Sequence, residues 1–122
     1  MLSYSVYKVM HLVALFALLM SLGGLVLARL NHSDKHFKGR RWALIFHGVS
    51  LFFVLLGGFG LLARLNIHTP WPGWIWVKLG LWLLLGGVTV LIMRKPEWSK
   101  ALWVTILLIA GYGVYVAHYK PF

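Results

Sequence analysis

Long stretches of this chain carry no charged side chain at all, such as Val9 to Ala28, Trp42 to Ala63 and Leu79 to Met93. A run of roughly 18 or more apolar residues is long enough to cross a bilayer as a helix. A soluble core could not bury so many such runs in a chain of 122 residues. Only 11% of the residues are charged, where a soluble domain carries about 25%. These features predict an all-α integral membrane four-helix bundle forming a single domain over 1–122. Its helices are expected at about 4–28, 41–63, 74–93 and 98–118, since backbone groups in lipid must be satisfied within the segment.

The net charge is +10, with two acids, Asp34 and Glu97. In a soluble protein that imbalance would suggest nucleic acid. Here the charge sits at the ends of the apolar runs, so the expected partner is the lipid bilayer and not nucleic acid. Arg29, Lys35, Lys38, Arg40, Arg41, Arg94, Lys95 and Lys100 gather on one side, against Arg64 and Lys120 on the other, with Lys8 and Lys78 just inside helices. By the positive-inside rule the first side is cytoplasmic and both termini face outward, giving an up-down-up-down protein of a bacterial inner membrane. Trp71, Trp74, Trp76, Tyr4, Tyr7, Tyr115 and Tyr119 mark the outer interface; Trp42, Trp98 and Trp103 mark the inner one. No basic region precedes the first apolar run, and that run is too long for a signal peptide, so Met1 onward reads as mature protein.

Small and polar residues mark the faces that helices turn to one another in lipid. The first helix shows Tyr4, Tyr7, His11, Ala14, Ala17, Ser21, Gly24 and Ala28 at steps of three or four, which aims His11 into the bundle. The second shows Ala43, His47, Ser50, Gly57 and Arg64; the third Lys78, Trp82, Gly86 and Thr89; the fourth Thr105, Leu108, Tyr112, Tyr115 and Tyr119. Leu-Gly-Gly recurs at 22–24, 56–58 and 85–87, and close helix packing accounts for it without duplication.

At about 1.5 Å of rise per residue, His11, Lys78, Tyr112 and Tyr115 fall in the outer half of the bundle and form one candidate cofactor-binding site. His47 lies at another level, on the order of 15 Å away in depth, so one haem ligated by both histidines is not expected. Each group has a structural reading beside the functional one. Lys78 can snorkel to the interface, and His11 and His47 can hydrogen-bond a neighbouring carbonyl. His32, Asp34 and His36 share a basic loop without metal-ligand spacing, and no metal site is expected.

The chain has no cysteine, hence no thiolate nucleophile or cysteine-ligated metal. It has no carboxylate pair, nucleophile elbow or phosphate loop. Imidazole, ammonium and phenol remain, and they suit a haem b, a porphyrin or a quinone-like ligand.

The same residues carry a resemblance to two groups of small bacterial four-helix membrane proteins. Lys8-Val9-Met10-His11, Phe46-His47-Gly48-Val49-Ser50-Leu51 and Pro72-Gly73-Trp74-Ile75-Trp76-Val77-Lys78 resemble the SirB family in order over nearly the whole chain. That resemblance implies a fold and a membrane placement. His11, Arg29 and Lys78 are similar to positions of HemJ-type protoporphyrinogen oxidases, and Ala28-Arg29-Leu30 resembles their Pro-Arg-Leu segment with Ala28 in place of the Pro. That resemblance implies porphyrinogen oxidation. The expected function is therefore ligand binding with a redox role. The alternative is an accessory or assembly subunit of a larger membrane complex, or a homo-oligomer. A transporter is the weakest reading, since four helices would have to oligomerise to make a pathway.

Overall fold

A computed structural model describes residues 3–31, 34, 36–67 and 70–120. The described chain is helical: α1 Tyr4–Asn31, α2 Arg40–Arg64, α3 Gly73–Arg94 and, after one 3-10 turn at Pro96–Trp98, α4 Ser99–Tyr119. All four are long and apolar enough to cross a membrane. Their bounds fall within three residues of those expected.

Local chemistry sets the ends. Gly39 precedes α2 at φ 87°, a left-handed conformation that glycine adopts without a Cβ penalty. Pro72, extended at φ −65° and ψ 159°, starts α3 because its fixed φ and missing N–H suit a helix entrance. The end of α2 is closed by Asn66, left-handed at φ 57°. Its N–H donates to the Ala63 carbonyl, and Ile67 N–H donates to that of Leu62. This crossed pair satisfies carbonyls that a helix end leaves open, and Asn is the usual substitute for Gly at that position.

The helices are not equivalent. α1 touches all three others, whereas α2 and α4 do not meet among the described residues. The core is accordingly built on α1. Leu18, Leu22, Leu25 and Val26 are fully enclosed, packed with Val54 of α2, Leu85, Val88 and Ile92 of α3, and Leu102 and Ile106 of α4. The contacts of α1 with α2 run in reversed residue order, Tyr7 against Gly60 and His11 against Gly57.

Two expected faces differ from those observed. On α1, Gly24 is exposed with nothing within 4 Å of a Cβ placed on it. The glycines that admit close approach to α1 belong to α2, where Gly57 and Gly58 receive His11 and Gly60 receives Tyr7; Gly86 of α3 receives Leu51. On α4, Thr105, Leu108, Tyr112, Tyr115 and Tyr119 all face outward, while Leu102, Ile106 and Val116 are buried. The aliphatic side fits the leucine-filled core, with Leu81 of α3 lying against Gly113. The tyrosines stack on one another along the outside, 6.0 Å between the Tyr112 and Tyr115 rings and 5.1 Å between Tyr115 and Tyr119.

Side chains also join α2 to α3. The Trp82 indole donates to the Leu51 carbonyl at 3.0 Å, and the His47 ring bonds the Leu85 carbonyl at 3.3 Å through Nε2. Hydrogen bonds of this kind average about 0.6 kcal/mol in membrane bundles. Trp82→Phe should therefore lower unfolding stability in micelles by about 0.6 kcal/mol, and a loss several times larger would show that the indole bond is not an ordinary one.

Candidate functional site

His11 sits in the second turn of α1 and is buried. Its Nδ1 lies 2.8 Å from the Val54 carbonyl oxygen of α2. A carbonyl oxygen only accepts, so the proton of this bond is on Nδ1. Nε2 has no hydrogen-bond partner among the described residues. The imidazole fits here because α2 has no side chain opposite it: a Cβ on Gly57 would lie 2.9 Å from His11 Cβ, and one on Gly58 would lie 3.4 Å from Cε1.

Lys78, half-buried in the second turn of α3, is close enough to His11 for their charges to interact. Lys120, just past α4, interacts in the same way with Lys78. The Lys120 ammonium lies 5.4 Å from the centre of the Trp74 ring. Trp74 and Lys78 are one turn apart on one face of α3, so Lys120 stands over the turn that carries Lys78. Tyr4 and Lys8 stand toward the same end of the bundle, with the Lys8 ammonium 5.9 Å from the Tyr4 ring centre. Both acids of the chain, Asp34 and Glu97, lie beyond the opposite helix ends.

The four residues expected to form one site divide. His11 and Lys78 come together. Tyr112 and Tyr115 are 44% and 47% exposed on the outer side of α4, away from the buried face that packs on α1 and α3. His47 is buried as expected and engaged with Leu85. With α2 as the ruler, Gly57 at the level of His11 and His47 are ten residues apart, roughly 15 Å of rise. Two axial ligands for one iron are therefore not supplied by these histidines.

Sequence reasoning missed Lys120 and the Trp74 ring beneath it. The signal was present in the pairing of an interfacial Trp on α3 with a Lys at the end of α4, both assigned to the same side. No group of three His, Cys, Asp or Glu side chains gathers among the described residues. His32 lies outside them; the His36 backbone N–H donates to Asp34 Oδ1 at 2.8 Å in a local turn. At the opposite end Arg41, Arg94, Lys95 and Lys100 are exposed, with the Lys95 ammonium 5.7 Å from the Trp98 ring centre.

Comparison with protein-family models, with curated proteins and with solved structures returns no match.

Proposed function

We propose that this chain is a multi-pass protein of a bacterial inner membrane. Its four helices run up-down-up-down with both termini on the outer side, and it binds a flat, amphipathic ligand of the haem b, porphyrin or quinone class beside His11 and Lys78 in the outer half. One observation carries this reading: an imidazole whose Nδ1 is anchored on the Val54 carbonyl and whose Nε2 has no described partner, next to an intramembrane ammonium. A histidine that ligates a metal commonly donates its other N–H to a backbone carbonyl, which fixes the ring and its tautomer. An intramembrane cation likewise marks function by default, because it is costly to place in lipid.

His11 would hold a haem iron through Nε2 as a single axial ligand, and the same atom could accept a hydrogen bond from a metal-free porphyrin. His47, at another depth and bonded to Leu85, does not fit as the second. A bound haem or quinone would supply the electron-transfer chemistry that these side chains lack. The α1–α2 side of His11 is closed by Gly57 and Gly58, so a ligand plane would approach from the side of α3 and α4.

The test is an absorption spectrum of protein purified in mild detergent, oxidised and then reduced with dithionite. Wild type should show a Soret band that sharpens on reduction, and His11→Ala should lose it. A featureless spectrum at high purity rejects the haem form of the reading.

A second reading is favoured by a different observation. His11, Trp82 and His47 each bond a carbonyl of a neighbouring helix, and α4 presents Tyr112, Tyr115 and Tyr119 outward. Those are properties of an accessory subunit held rigid to present a face to a larger complex or to another copy. A stoichiometric partner that co-purifies with both wild type and a His11→Ala, Lys78→Ala variant would favour it.

A further inference from the structure

An imidazole and two ammonium groups lie toward one end of the bundle, from three different segments: His11 on α1, Lys78 on α3 and Lys120 after α4. Trp74 relates the two lysines. The Lys120 ammonium lies 5.4 Å from its ring centre, and Lys78 follows it by one helical turn on the same face. Among the described residues no Asp or Glu side chain stands with these groups; Asp34 and Glu97 are beyond the far ends of the helices. Like charges brought together near a bilayer repel in a medium that screens them poorly. A bound anion removes that repulsion, and the half-buried Lys78, one turn along α3 from Trp74, and the exposed Lys120 over that ring supply two cations to it.

We infer that Lys120, over the Trp74 ring, and Lys78, one turn along α3 from it, clamp the acidic head of an amphiphile, a carboxylate or phosphate, whose apolar body lies deeper in the bundle. This deepens the reading of the His11 site and rests on it: His11 faces the ring system, and the two lysines fix the acid group. The shared chemistry is an anionic head, which either a free amphiphilic acid or a lipid headgroup carries.

The experiment uses the full chain in phosphatidylcholine nanodiscs and reads quenching of tryptophan fluorescence. The probes are protoporphyrin IX, with two carboxylates, and its uncharged dimethyl ester. Wild type should bind the diacid about tenfold more tightly than the ester, as one well-placed charge contact implies. Lys78→Gln and Lys120→Gln should each remove most of that preference while leaving ester binding unchanged. Lys8→Gln, whose ammonium lies over Tyr4, should keep it.

Equal affinity for diacid and ester in wild type would overturn the clamp and leave the porphyrin reading standing. Binding of neither probe would overturn both. Unchanged ester affinity in the lysine variants shows that they fold, so loss of preference cannot be misread as loss of structure. Adding phosphatidylglycerol to the discs separates the sources. If it weakens diacid binding to wild type and not to Lys78→Gln, lipid headgroups occupy the clamp; if diacid binding is unaffected, the clamp serves the free acid.

Discussion

Gly57→Leu should prevent α1 and α2 from closing on each other. A Cβ at this position would stand 2.9 Å from His11 Cβ and 3.0 Å from both its Cα and its N. Two of those three atoms are main chain, so no rotamer change relieves the contact and the helices must separate. Overpacking a core typically costs about 1–3 kcal/mol, and a clash against backbone belongs at or above the top of that range. Separation would also stretch the 2.8 Å bond from His11 to Val54.

Gly60→Ala should cost less, although a Cβ there meets the Tyr7 ring directly, because a ring near the helix end can swing aside. Gly24→Ala and Gly48→Ala, with open space around the new Cβ, should be neutral or stabilising by up to about 1 kcal/mol from helix propensity. Unfolding by a denaturing detergent titrated into mild micelles would rank the set. Gly57→Leu unfolding alongside Gly24→Ala would mean that α1 and α2 do not meet at His11.

The number and extent of the helices were legible because in this chain charge marks the ends of every span. So was the face of α2: His47, Ser50 and Gly57 were expected inside and are buried. The rest was harder to read for a reason particular to lipid. A leucine is as much at home against lipid tails as against another helix, so apolar periodicity no longer tells inside from outside. On α4 the polar stripe was therefore assigned to the interior, whereas the aliphatic stripe of Leu102, Ile106 and Val116 is what packs. The glycine pairs were legible as packing devices, but not which of them receives a partner: Gly57 and Gly58 do, Gly23 and Gly24 do not. That His11 and Lys78 stand toward the same end of the bundle could be expected from depth alone. Adding Lys120 required knowing that the end of α4 folds over Trp74.

Arg29→Ala should destabilise the opposite end of the bundle by about 2 kcal/mol, the range of a hydrogen bond made by a charged group. By sequence Arg29 is the first basic residue of a loop. In the structure α1 continues to Asn31, and Arg29 is 5% exposed inside its last turn. Its Nη2 donates to the Met93 carbonyl at 3.2 Å. That carbonyl is one of the last four of α3, which have no partner within their own helix. A cation is also favoured where carbonyls converge at a helix C-terminus. One guanidinium thus closes the end of α3 and ties it to α1, whose apolar side holds the whole core. Arg29→Lys keeps the charge but loses the planar fork of donors, so its stability should fall between wild type and the alanine variant. Arg41→Ala removes an exposed arginine from the same end and should stay within about 0.5 kcal/mol of wild type, as surface substitutions do. Equal losses for the Arg29 and Arg41 alanine variants would reduce Arg29 to one more positive charge at the interface. A loss confined to Arg29, partly restored by lysine, would identify it as the tie between α1 and α3.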